Sequence, residues 1–279
     1  EYKLTLAKLL AFVFLLPFSL ILGFVLKNLK KIISFVILTS IIFPVQIIQA
    51  TNTHTTSLNG VNQSWSITNA SQTNLDLLSN FTIEAWIKTT DNNEYIVMMT
   101  DGGTDNGYGL NLGGAGAPAG KLACFGGQGW AKPNNTAVND GVWHHVACTY
   151  ASTTGAVAFY LDGVADGTGT AGTAPLSYTG IRYVPAGSGT FATDIDDVRV
   201  WNIIRTATEI SNNYNCSLAG TESNLVAYWR FDNNGNDSTS NNNHLTNNNS
   251  ATFQSASLPF TATCGETTAR GEEYQIIFE

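Results

Sequence analysis

Between residues 57 and 260, apolar and polar positions alternate along much of the chain, and the alternation has a period of two. In residues 81–90 (FTIEAWIKTT), Phe81, Ile83, Ala85 and Ile87 fall on one face. Thr82, Glu84, Trp86 and Lys88 fall on the other. That is the pattern of a strand, whose successive side chains point to opposite sides. Residues 140–162 (DGVWHHVACTYASTTGAVAFYLD) predict a hairpin. Asp140-Gly141 is a turn, residues 142–150 are a strand rich in β-branched and aromatic residues, and residues 152–155 turn again. Residues 156–161 form the second strand, and Asp162-Gly163 reverses the chain once more.

Further strands are predicted at 57–67, broken by Asn59-Gly60, and at 95–100, 108–112, 121–125, 181–184, 193–201, 225–231 and 253–260. Residues 51–56 are polar and expected to fray. Loops are expected at 74–80 and 101–107, and at 126–139, which carries Trp130. A Gly/Thr/Ala-rich stretch covers 167–173. In residues 233–249 nine of seventeen positions are Asn, which reads as loop. The one helix-like stretch in this part of the chain is 206–213 (TATEISNN), with Thr206 as N-cap and Glu209 three residues on, the spacing of a capping box. Many short strands with closely spaced turn signals and almost no helix predict an all-β sandwich, and about 210 residues suffice for one two-sheet core.

Residues 1–50 break this pattern. They hold two apolar runs, 9–26 and 32–48, with five Lys and one Glu. The first is long enough to span a membrane on length alone. The second follows Lys27, Lys30 and Lys31 and ends in Ile48-Gln49-Ala50, so residues of about 26–50 have the parts of a secretory signal. The competing reading is an N-terminal helical anchor. Residues 51–264 then form the folded domain, and 265–279 a tail or linker.

The remaining chain has 8 basic against 20 acidic residues, net −12. It lacks a basic stripe, which argues against nucleic acid as a partner, since phosphate binding needs clustered Lys and Arg. Membrane contact is expected only through the N-terminal segment, if it is retained. The four cysteines, Cys124, Cys148, Cys216 and Cys264, behind a secretory signal suit two disulfides. Of three pairings, Cys124–Cys148 is favoured because the two are expected on neighbouring strands. Cys216–Cys264 would tie down the C-terminal segment. The alternative, a zinc site, lacks any Cys-x-x-Cys spacing.

Four stretches in order, SLNGVNQSWSI, FTIEAWIKTT, DGVWHHVACTY with FYLDG, and IDDVRVWNIIRTATEI, resemble the laminin-G-like members of the concanavalin A-like lectin/glucanase superfamily. A fifth, LVAYWRFDNNGNDSTSNNNHLT, resembles the segment that usually opens such a module; here it comes last and is expected to close the sheet. The resemblance covers about residues 57–260 and implies a two-sheet antiparallel jelly-roll sandwich. It also implies a structural Ca²⁺ on the Asp that opens the "DxVRV" strand. Asp196 holds that place, with Asp232, Asn59 and a carbonyl of the 241–243 turn, represented by Asn243, to complete the oxygen ligands. The first motif has Asn59 and Gln63 where an acidic residue is often found, which lowers the ligand charge. Lectins of this fold bind sugars on the concave face and its loops. This points to Trp130, with Tyr108, Asp105, Asn106 and Asn134 nearby, as the ligand site. Trp86, Trp143, Trp201 and Trp229 lie within strand patterns and are expected to pack.

Glucanases of the superfamily carry a Glu-x-Asp-x-x-Glu run that sets two carboxylates on one strand face. This chain has none; Glu84 stands alone in its strand. His144 and His145 point to opposite faces and cannot chelate together. The expectation is therefore a non-catalytic, secreted or cell-surface carbohydrate-binding or adhesion module, with a glycan or a cell-surface protein as partner and Ca²⁺ as a structural cofactor. A structural or protein-interaction module without sugar binding is the alternative, and a glycan-active hydrolase the third reading.

Overall fold

The computed structural model describes residues 52–100, 107–114, 116–175, 182–183, 192–255, 258, 260 and 262–264. The chain divides into two compact units, Glu1–Gln49 and Ala50–Glu279, and every described residue belongs to the second. The N-terminal signal or anchor and the 265–279 tail lie outside the described residues. Among the described residues no helix is long and apolar enough to cross a membrane.

In chain order the strands are β1 (His54–Asn59), β2 (Ser64–Ile67), β3 (Phe81–Thr89), β4 (Glu94–Thr100), β5 (Gly107–Gly114) and β6 (Ala117–Gly126). There follow β7 (Gly129–Ala131), β8 (His144–Ala151), β9 (Ala156–Leu161), β10 (Val164–Thr170), β11 (Arg182–Tyr183) and β12 (Ala192–Trp201). Helix α1 (Ala207–Asn213) precedes β13 (Cys216–Ser217), β14 (Leu225–Trp229), β15 (Thr246–Asn248), β16 (Thr252–Ser255) and β17 (Ala262–Thr263). One sheet runs β10-β9-β8-β3-β12-β1-β16, with β14 also on β12. The other runs β15-β2-β11-β4-β5-β6-β7. All pairings within these two sheets are antiparallel.

The period-two faces of β3 divide as the sequence predicts. Phe81, Ile83, Ala85 and Ile87 enter the core between the sheets. There Phe81 packs on Tyr108 of β5 and Tyr150 of β8, with ring centroids 5.1 and 4.8 Å apart. The expected hairpin forms as β8 and β9, with Val146 opposite Leu161 and Ala151 opposite Ala156. Asp162 and Gly163 both take positive φ, 49° and 78°, the conformation a two-residue hairpin turn requires. The late LVAYW segment closes the sheet as β14.

Several boundaries differ from expectation. Residues 54–56 pair with β12 and β16 instead of fraying. The loop expected at 126–139 contains β7, and β10 runs from Val164 into the Gly/Thr/Ala-rich stretch 167–173, because backbone pairing on a sheet edge needs no side-chain pattern. The Asn-rich segment contributes β15. Both disulfides form as expected, Cys124–Cys148 and Cys216–Cys264. The reason for the first is different, however. Cys124 on β6 and Cys148 on β8 belong to opposite sheets and meet in the core, Cα to Cα 6.3 Å, so the bond staples the two layers together.

The outer face of the β3 sheet is also buried. The capping box forms: Thr206 Oγ1 accepts from Glu209 N at 3.2 Å, and Thr206 N donates to Glu209 Oε2 at 2.7 Å. Helix α1 sets Ile210 against Ala147 and Tyr160. Trp86 Nε1 donates to Tyr214 O just beyond the helix. Under this cover Glu84 has no solvent exposure. Its carboxylate meets Arg205 at 2.5 Å, His145 at 3.3 Å and Arg199 at 3.5 Å. Burial alone would raise its pKa; His145, Arg205 and Arg199 together outweigh burial and hold it far below the usual carboxylate range.

Two outcomes follow from these contacts. Glu84→Ala removes the carboxylate partner of buried Arg205 and leaves Arg199 with Asp197 alone, and is expected to cost about 3–5 kcal/mol in denaturant unfolding. A loss under about 1 kcal/mol would mean the cluster is solvated. At the hairpin, His144 Nδ1 lies 2.9 Å from Asp162 and Nε2 3.3 Å from Asp140. The bond to Asp162 chiefly raises the His144 pKa above its ordinary 6.5. Its stabilisation is complete below that value and is lost as pH rises through the folded-state pKa. Both carboxylates are well exposed, so screening limits the effect to about 1 kcal/mol or less. His144→Asn should therefore destabilise more at pH 5.5 than at pH 8.5; an equal loss at both would show that the pair does not matter.

Candidate functional site

The predicted sugar residues separate in the fold. Asp105 and Asn106 lie outside the described residues. Tyr108 has no exposure; its hydroxyl donates to Leu75 O at 2.9 Å, and burial pushes its pKa well up. It points inward because β5 alternates, and Tyr108 shares the core face with Leu110 and Leu112. Asn134 is buried as well. Its Oδ1 accepts from Leu122 N at 2.7 Å, and its Nδ2 donates to Thr136 O at 2.7 Å and to Asp166 at 2.6 Å. It braces the loop after β7, so the fold does not bring Tyr108 or Asn134 to a ligand with Trp130.

Trp130 remains partly exposed, on β7 at the edge of its sheet. Cross-strand register defines its company, because directly opposed residues of an antiparallel pair share a face. One row runs Met98, Gly109, Phe125, Trp130, and the next runs Tyr95, Asn111, Ala123. These rows form the sheet face turned away from the core. Trp130 lies 4.8 Å from Phe125 and is stacked with Tyr95, centroids 6.4 Å apart at 28°. Phe125 is almost wholly covered, while Tyr95, like Trp130, is partly exposed. Asn111 donates through Nδ2 to Gly113 O at 2.7 Å, and its buried Oδ1 has no hydrogen-bond partner. The result is a shelf of two part-exposed aromatic rings beside an uncommitted amide oxygen. Tyr95 and Asn111 were not singled out in the sequence, since only the strand register places them beside Trp130.

The predicted calcium ligands also rearrange. Along β12, residues Ala192–Ile195 pair with β1 and Val198–Trp201 with β14. Asp196 and Asp197 fall in the gap where those two strands meet end to end, and Asp197 takes φ 49°. Asp196 has no exposure, and its Oδ2 has no hydrogen-bond partner. Burial first, then the charge of Asp197, with Asp232 adding, pushes its pKa well above the usual carboxylate range. The Asn52 amide lies close enough to act on this carboxylate, yet neither of its buried polar atoms completes a hydrogen bond. Asp232 caps the start of β1 by accepting from Thr53 N at 2.7 Å and His54 N at 3.1 Å.

Asn59 is not part of this group. It pairs with Ala192, four residues before Asp196 and so about 13 Å along the strand, and its Oδ1 closes a local turn with Val61 N. Asn243 is committed elsewhere: its carbonyl accepts from Trp229 Nε1 at 2.7 Å, and its side chain bridges Thr73 and Val226. The chain therefore gathers Asp196, Asp232 and Asn52. Among the described residues no three His, Cys, Asp or Glu side chains cluster as metal ligands, so a cation there would rely on amide and carbonyl oxygens as well. Oxygens left without a partner around a buried carboxylate fit a hard cation such as Ca²⁺. Asp197 is committed elsewhere and pairs with Arg199 and Tyr228. Glu84, the carboxylate on β3, is sealed in its ion cluster and unavailable to a substrate.

Comparison with known proteins accords with this architecture. A search of curated proteins finds no match. Among solved structures, a Bacteroides ovatus protein provisionally assigned as carbohydrate binding superposes with a TM-score of 0.57 at 21% identity. The alignment covers 75% of this chain and 61% of that one. A heptameric SAP-like pentraxin from Limulus polyphemus superposes with a TM-score of 0.54 at 16% identity, over 74% of this chain and 96% of that one. At these identities the likeness is one of fold. The present chain thus spans less than two thirds of the Bacteroides protein and nearly all of the pentraxin. The model of a laminin G-type family matches residues 59–211, more than half of the sequence. With both sheets, their antiparallel order and this match in agreement, the chain belongs to the Concanavalin A-like lectin/glucanases superfamily.

Proposed function

We propose that this protein is a non-catalytic carbohydrate-binding module of an extracellular protein, and that it holds sugar on the Tyr95–Trp130 shelf. The observation that carries the reading is Trp130 itself: a large ring left partly exposed, backed by Phe125 and stacked with Tyr95. Binding sites pair apolar surface with a few oriented polar groups. Here the rings would take the C–H face of a pyranose. Two disulfides and an acidic body suit an oxidising, extracellular setting. The Bacteroides protein's carbohydrate assignment supports the same class. A structural or adhesive role without sugar binding is the second reading, and the many chemistries of this fold keep it open.

We also propose that Ca²⁺ binds at the β1–β14 gap through Asp196, Asp232 and Asn52. Its role there is structural. Asn52 and Asp232 meet from the two ends of the domain, so the ion would fasten the start of β1 to the turn after β14. Nothing in this arrangement asks the ion to touch the sugar shelf.

Trp130→Ala is expected to weaken retention on immobilised neutral glycans by about tenfold or more, and Tyr95→Ala to weaken it less. Retention unchanged by both would remove the shelf from the binding surface. Calcium should raise the melting temperature of the protein relative to a chelator, because a ligand that binds the native state stabilises it. Asp196→Asn should abolish that difference. A wild-type curve indifferent to chelation would remove the ion from the account.

A further inference from the structure

A second cavity lies at the end of the sandwich where β3 and β14 begin and β12 ends. It is a cleft of about 490 Å³ and shares no residue with the shelf or with the Asp196 group. Its size falls within the range of small-molecule sites, roughly 300–1,000 Å³. Leu77 and Leu225, both buried, line it, and Leu78 stands at 70% exposure on its rim.

The polar groups facing this cleft are mostly side-chain amides. The backbone fixes two of them: Asn202 N donates to Asn224 O at 3.1 Å, which holds the ends of β12 and β14 together. Neither the Asn202 nor the Asn224 side chain makes a hydrogen bond among the described residues, and the Ser79 hydroxyl makes none either. Asn80 commits its Oδ1 to Ser152, at 3.0 Å to N and 3.2 Å to Oγ, and keeps its amide N–H₂. Asp76 is the one charged residue in the lining among the described residues. Among them the lining offers no cationic side chain to receive an anion. Among the described residues no aromatic ring lines the cleft, so a flat base or ring would find no stacking partner there. Amides both donate and accept, as sugar hydroxyls do, and Leu78 offers an apolar edge for the ring carbons.

We propose that this cleft is a second binding site, which takes the neutral, polyhydroxylated end of an oligosaccharide on Asn80, Asn202 and Asn224. It is separate from the shelf and needs no metal. Two sites on one module would let it grip a multivalent glycan surface more tightly than either site alone.

The test uses an array of neutral oligosaccharides with sialylated ones for comparison. It reads the wild-type protein, an Asn202→Ala/Asn224→Gly variant and Trp130→Ala. Asn202 and Asn224 are exposed, and Gly keeps the positive φ of 69° at Asn224, so the double variant should melt with the wild type. The expected result is a set of neutral-glycan signals that falls about tenfold or more in the double variant and persists in Trp130→Ala. The proposal fails if the double variant keeps every wild-type signal within about twofold. If Trp130→Ala alone erases all signals, the shelf stands and the cleft falls. If the double variant alone erases them, the cleft stands and the shelf falls. Wild-type protein that retains no neutral oligosaccharide overturns both.

Discussion

The buried carboxylate of Glu84 is the constraint on which the outer half of this domain depends. A charged group with no exposure persists only if it is paired on all sides. Its partners come from β8 (His145), β12 (Arg199) and the turn before α1 (Arg205). Arg205 also bonds Glu209 O and Asn213 Oδ1, and Arg199 bonds Asn213 O and Cys216 O. The ion cluster therefore orients the helix, and the helix seals the cluster. The Cys216–Cys264 bond lies against the same layer and brings the C-terminal strand β17 alongside β13. What looks like a polar strand face is an interior, held by charge instead of by apolar area.

The central strand β12 links this layer to the candidate sites. Its alternation sends Asp197 and Arg199 to the ion cluster, while Ile195, Val198 and Val200 enter the core. The extra residue at Asp197 allows both. It shifts the register against β3 between Asp196 and Arg199, just where β1 hands over to β14 on the opposite edge. A gap of this kind leaves polar atoms that no ladder bond can satisfy, and Asp196 and Asn52 supply them. Buried polar atoms without partners thus arise from sheet topology alone.

The other sheet shows how the candidate aromatic shelf is built on strands instead of irregular loops. Gly109 gives the row through Phe125 and Trp130 no bulk of its own, and Met98 fills that space. The rings of Tyr95 and Trp130 are held by rigid strands on either side of β5 and β6, so little conformational entropy is lost when a ligand arrives. The amide-lined cleft at the sandwich end differs: its groups sit on strand ends and turns, fixed by the Asn202–Asn224 backbone bond.

Much of this was legible in the chain. The period of two in residues 81–90 and 142–150 fixes which side chains share a face, the Thr206–Glu209 spacing fixes where the helix starts, and four cysteines suit two bonds. These are local properties, set by backbone geometry over a few residues. The sequence could not say what covers each face. Glu84 reads as a solitary carboxylate because its partner Arg205 lies 121 positions away. Cys124 and Cys148 read as lying on neighbouring strands, and those strands turn out to belong to two different sheets. Tyr108 and Asn134 carry the right chemistry for a sugar site, but packing turned one into the core and bound the other to its own loop. Asn59 ends β1 and Asn52 lies two residues before it begins, and only the antiparallel direction of β1 along β12 decides that Asn52, not Asn59, lies towards Asp196. Long-range pairing and burial are properties of the assembled sandwich. They decide which polar groups are spent on the fold and which remain for a ligand.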